Sequence, residues 1–144
     1  MTIRINSENL NKKRKIDLSK LEDVARLVLN RHKRPDAELN MIFVSSQKIR
    51  AMNRKWFGKD RATDVIAWPS GDNGVFLGDI AISSDAAARN SGEYGLSFEE
   101  EISLYVIHGI LHLLGYDDRT ARKRAKMRKE EDALLQKARK AFRK

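Results

Sequence analysis

The chain has 144 residues, with 29 Lys and Arg against 20 Asp and Glu, a formal net charge of +9 and no cysteine. That length fits one domain, residues 1–144, able to bury a core without disulfides, and the missing cysteines exclude both disulfides and thiolate metal centres. The basic surplus favours a polyanion such as RNA, DNA or an acidic membrane surface. It gathers in NKKRK near the start and RTARKRAKMRK near the end, neither of which reads bases, so the attraction is to backbone phosphate.

The opening MTIRINSENLNKKRKI lacks the apolar core of a secretory signal, and the longest apolar run, LYVIHGILHLLGY, falls short of the ~20 residues of a membrane span. A soluble, cytoplasmic protein is expected. In chain order, Ile3 and Ile5 alternate with polar residues in a short strand. From Asp17 to His32 the apolar positions Leu21, Val24, Ala25 and Val28 recur at helical spacing, with Asp17 or Ser19 as cap and Pro35 beyond the end. ELNMIFVS predicts a second strand, and Ser46 opens a helix that Gly58 stops. DVIAWP and VFLGDIAIS predict two further strands around the turn SGDNG, and Ser84–Asn90 a short helix. Ser97 with Glu100 makes a capping box for a long helix reaching Leu114, which Gly115 ends, and a charged helix runs from Thr120 to Phe142. The fold class is α+β: a small mixed sheet of about four strands, packed helices, and one buried helix through the middle.

That buried helix carries HGILHLLGYDD, His108–Asp118, which holds two of the chain's three histidines. Residues four apart on a helix project about 40° from each other and about 6 Å along the axis, so His108 and His112 share a face. A buried imidazole left without partners costs roughly 1–3 kcal/mol. Metal coordination satisfies one nitrogen of each ring and leaves the other for a supporting group; two core histidines satisfied by protein partners are the alternative. Gly115 lets the chain turn back, so Asp118 becomes the third ligand in a His-x-x-x-His-x-x-Gly-x-x-Asp spacing like that of metzincin zinc sites. Its other role is to cap the next helix. Zinc peptidases with this spacing place Glu after the first histidine as general base, but here that residue is Gly109, which argues against peptide hydrolysis.

His108–Asp118 closely resembles the signature H-G-x-L-H-L-x-G-Y-D-H of the YbeY-type endoribonuclease family, matching every specified position except the last. MNRKWFGKDRATDVIAWP is similar to the family's N-x-x-Y-R-x-K-D-x-x-T-D-V-L-S-F-P region through Asn53, Lys59, Asp60, Thr63, Asp64, Val65 and Pro69. LGDIAIS and the Met127-x-x-x-Glu131 spacing extend the likeness, which covers roughly residues 38 to 131. The resemblance implies a metal-dependent, single-strand-specific endoribonuclease acting in 3′-end maturation of small-subunit ribosomal RNA and in ribosome quality control. His108 and His112 carry over as zinc ligands. Two positions depart from the family: Asp118 replaces its third histidine, and Phe57 replaces an arginine proposed to act on the scissile phosphate. Arg54 and Arg61 are the nearby candidates for that charge. The carboxylate of Asp118 admits Mn2+ or Fe2+ beside Zn2+. Asp117 is a further candidate, to orient a ligand or relay a proton, with helix capping as its other role. Thr63, Asp64 and Asp79 are weighed between cleft and turn, Trp68 between base stacking and core, and His32 as complement to a helix dipole. The expected partners are single-stranded RNA, ribosomal RNA or the ribosome. The other reading is a metal-binding, ribosome-associated factor that cuts nothing.

Overall fold

The computed structural model of the chain describes residues 2–71, 74–93 and 95–142. Strand β1 (Arg4–Asn9) leads through helix α1 (Leu18–Arg31) to β2 (Glu38–Val44), and helix α2 (Ser46–Phe57) precedes the hairpin of β3 (Val65–Pro69) and β4 (Phe76–Ser83). Helices α3 (Ser84–Asn90), α4 (Phe98–Leu113) and α5 (Ala121–Phe142) follow. The four-stranded sheet has the order β1-β2-β4-β3, with β1, β2 and β4 parallel and β3 antiparallel to β4. It is the mixed α+β sheet that the strand patterns predict. Asp72 and Asn73 of the expected SGDNG turn lie outside the described residues.

Alternation along the strands sorts residues onto two faces. Leu39, Met41, Phe43, Ile80 and Ile82 join the core formed with α1, α4 and α5. Val44, Ala81 and Ile66 face the other way and make a smaller cluster with Ile49 of α2, against which Trp68 packs. Towards one end of that second face Asn6, Asn40 and Asp79 form a side-chain ladder across three strands, at 2.9 Å per step, so Asp79 is spent on the sheet.

Local signals fix the helix ends. Asp17, not Ser19, caps α1, its side chain accepting from the Lys20 N–H at 3.2 Å. The Ser97–Glu100 capping box is present in full at the start of α4. Thr120, expected inside the last helix, lies just before α5 and accepts from the Lys123 N–H at 3.1 Å. Helix α4 is apolar nearly all round and buries Ile102, Val106, Ile107, Ile110 and Leu111 completely or nearly so. Each such side chain is worth roughly 1.5–3 kcal/mol of transfer free energy. The helix lies tight against the sheet because of Gly109: a Cβ there would sit 3.2 Å from side-chain carbons of both Ile80 and Val65. At Gly78 the constraint is harder, since φ is +140° and a Cβ would meet the Trp68 carbonyl oxygen at 2.2 Å. Among the described residues no helix is long and apolar enough to cross a membrane.

Candidate active site

The two histidines of α4 converge. His112 Nε2 and His108 Nε2 stand 3.0 Å apart, with ring centroids separated by 4.6 Å. His108 is anchored from behind, its Nδ1 hydrogen-bonded to Glu131 of α5. His112 lies near the Tyr116 backbone, which favours its charged form. The turn after α4 brings that backbone into place: Gly115 takes φ +100°, and the Tyr116 N–H donates to the Leu111 carbonyl at 3.0 Å. Both rings turn Nε2 towards each other, and His108 keeps its far side occupied by Glu131, which is how metal-binding histidines are oriented.

Electrostatics separates the pair. Burial disfavours charge on His108, but the hydrogen bond and charge of Glu131, with Asp64 and Asp118 adding, outweigh it and raise the pKa above the ordinary histidine value. Burial and then the His108 charge push His112 below it. Two of the donors that a metal ion would need stand together. Two imidazole nitrogens bound tetrahedrally at 2.0–2.1 Å stand about 3.4 Å apart, so this pair needs to open by only about 0.4 Å. Among the described residues, however, no three His, Asp or Glu side chains stand together as a set able to hold an ion. Asp118 is exposed, and its carbonyl accepts from Arg124 Nη1 at 3.0 Å; its charge is felt at both histidines.

Two clefts meet at His108. One, of about 390 Å³, has His108 and His112 on one wall, Ile66 and Pro69 of β3 on another, and Phe57, Lys59, Arg61 and Thr63 around the α2–β3 loop. The second, of about 480 Å³, is acidic, with Asp64, Glu93, Glu101 and Glu131 around His108. The predicted catalytic residues divide accordingly. Arg61 lines the histidine cleft, while its carbonyl accepts from the buried Asn53 side chain at 3.1 Å. Arg54 is exposed, is not part of that lining, and lends its charge to Asp60. Asp117 is kept for its own turn. Its carboxylate accepts from the Arg119 N–H at 3.0 Å and Lys123 Nζ at 3.4 Å, and the first bond holds its pKa below the usual value. Thr63 and Asp64 do both things asked of them: one lines each cleft, and Asp64 Oδ1 accepts from the Val65 N–H at 2.9 Å. His32 ends α1 and stands 3.1 Å from Glu130 of α5. Lys59 and Glu131 had no role assigned from sequence. Both were visible only as matched positions in longer motifs.

The family model described as endoribonuclease YbeY matches residues 6–139. Relatives named endoribonuclease YbeY include one from Syntrophotalea carbinolica, 40% identical over 143 residues, spanning 95% of this chain and 91% of its own. Another, from Aquifex aeolicus, is 40% identical over 135 residues, spanning 91% and 90%. A Thermotoga maritima protein solved in solution superposes with a TM-score of 0.68 at 30% identity, over 99% of this chain and 92% of the other. The chain belongs to the endoribonuclease YbeY family.

Proposed function

We propose that this protein is a metal-dependent endoribonuclease that hydrolyses phosphodiester bonds in single-stranded RNA. The observation that carries the reading is the convergence of the His108 and His112 Nε2 atoms in a cleft also lined by Lys59 and Arg61. We place its action in the cytoplasm, and, as the family resemblance implies, on the 3′ end of small-subunit ribosomal RNA and in ribosome quality control.

A divalent ion held by His108 and His112, with Asp118 drawn in as third ligand, supplies Lewis acidity towards phosphate and water; zinc is the first expectation, and the carboxylate admits manganese or iron. Protein residues do the rest. Glu131 fixes the His108 ring by taking its Nδ1 side, which directs Nε2 to the cleft. Lys59 and Arg61, which line the cleft, offset the charge that builds on the phosphate in the transition state. Ile66, Ala67 and Pro69 form the drier wall, which strengthens those interactions. The cleft, of about 390 Å³, is bounded by the edge strand β3.

The test strips the protein with a chelator, restores Zn2+, Mn2+ or Fe2+ singly, and follows a labelled single strand beside its duplex. The proposal expects cutting of the single strand alone, restored by metal. Cutting that survives stripping, or equal cutting of duplex, contradicts it. If about five phosphates are neutralised, log affinity falls against log salt with a slope near −3.5. Phe57, which lines the cleft in place of the family's arginine, is the one observation favouring the non-cutting ribosomal factor. That reading expects metal and RNA binding with the RNA left intact.

A further inference from the structure

Beside the histidine cleft the surface carries aromatic side chains that the core does not require. Trp56 is 60% exposed and Phe57 49%, at the last turn of α2. Both meet Trp68 of β3: Trp56 edge-on at 6.3 Å between centroids, and Phe57 stacked at 6.4 Å with the planes 27° apart. Trp68 is half-buried and rooted on the small cluster of Val44, Ile49, Ile66 and Ala81, so the group stands on a rigid base. If these rings served only to cover that cluster, Trp56 would not leave more than half its surface in water.

Charge says what the patch is for. Lys55 Nζ lies 5.6 Å from the Trp56 ring centroid, and Phe57 shares the cleft wall with Lys59 and Arg61. Rings flanked by cations, on a chain of net charge +9, suit an anionic polymer with flat faces to offer. Phe57 belongs both to the aromatic group and to the cleft of His108 and His112, so the platform continues directly into the candidate reaction site. A duplex keeps its bases paired and stacked on each other, whereas a single strand can lay them on protein rings.

We infer that Trp56, Phe57 and Trp68 form a stacking subsite for unpaired nucleobases next to the cleaved phosphodiester. This rests on the single-stranded RNA reading and deepens it. It gives the Phe57 substitution a positive role: the position contacts a base where the family's arginine is proposed to act on phosphate. Single-strand preference then comes in part from base stacking, without reading sequence.

The chain's two tryptophans are both in this group, so intrinsic fluorescence reports on it directly. Titration with a 12-nucleotide oligouridylate, in chelator to prevent cutting, is compared with the same strand made abasic at its central positions and with inorganic polyphosphate. Wild type is expected to show saturable quenching by the oligouridylate and about 5- to 150-fold weaker binding of the abasic strand. Trp56→Ala and Phe57→Ala, both at exposed positions, are expected to lose affinity for the intact strand by a similar factor. Each should also distinguish intact from abasic RNA less than wild type does. If RNA binds but both variants stay within twofold of wild type, the subsite is refuted and the RNA reading stands; the patch then faces a protein. If polyphosphate quenches and binds as well as RNA, charge alone is at work and stacking is refuted. If no RNA binds at any salt, either in chelator or with Zn2+ restored, both this inference and the function it rests on fail.

Discussion

Replacing Glu131 by glutamine removes one charge from the site while keeping the shape of the side chain. Glu131 is only 16% exposed and grips His108 Nδ1 from α5, 23 residues away along the chain. Without the carboxylate the ring loses the partner that fixes its orientation and raises the electron density at Nε2. Losses of this kind weaken metal affinity by about 10- to 100-fold, which is about 1.4–2.7 kcal/mol. Two readouts check it. Competition with a chromophoric zinc chelator gives the affinity directly. In the metal-free protein, nitrogen-resolved NMR of the three histidines gives the His108 titration, which must move down, because burial remains when the raising influence of Glu131 is gone. A Glu131→Gln protein that binds zinc within twofold of wild type, with His108 titrating unchanged, would refute the claim that α5 tunes this histidine.

Other perturbations reach different parts of the account. Arg61→Ala is expected to lower kcat/KM on single-stranded RNA by about 10²-fold while RNA affinity changes far less, and equal losses in both would reduce Arg61 to a binding residue. Gly78→Ala forces a side chain into φ +140° and against the Trp68 carbonyl, costing about 3 kcal/mol or more in urea unfolding; a variant as stable as wild type would contradict that packing. Glu100 is held below its ordinary 4.5 by the Ser97 N–H and then by Arg139. Its contribution to stability is therefore full above 4.5 and fades as pH falls through the folded-state value. Glu100→Gln should destabilise at pH 7 and converge with wild type in acid, whereas a constant gap would show that charge is not involved.

Much of the fold could be read in the chain because its signals are local. The strands alternate, the Ser97–Glu100 box stands three residues apart, and Gly58 and Gly115 stop their helices. The pairing of the histidines was legible for the same reason, since helical geometry alone puts residues four apart side by side. Long-range choices were not. The order β1-β2-β4-β3 depends on parallel pairings between segments tens of residues apart. Glu131 is one acid on a helix crowded with charge. Its one sequence clue is its place in the Met127-x-x-x-Glu131 spacing, and in the structure Met127 is 2% exposed on the same helix. Gly109 read as a missing catalytic base, and in the structure the small residue is also what seats α4 on Ile80 and Val65. Trp68 beside Pro69 suggested core; only the fold reveals that Trp56 and Phe57 gather on it in the open. Which arginine reaches the cleft depends on the loop after Gly58, where no periodicity guides a reading.

The central claim is that the His108–His112 pair holds the metal that cuts RNA. The most direct measurement takes wild type and His112→Ala, both tag-free, determines metal content, and follows a labelled single strand and its duplex on the same samples. The account predicts about one metal per wild-type chain and cleavage of the single strand only, with both lost in the variant. Metal-loaded wild type that leaves RNA intact, or a variant that still cuts, would contradict it.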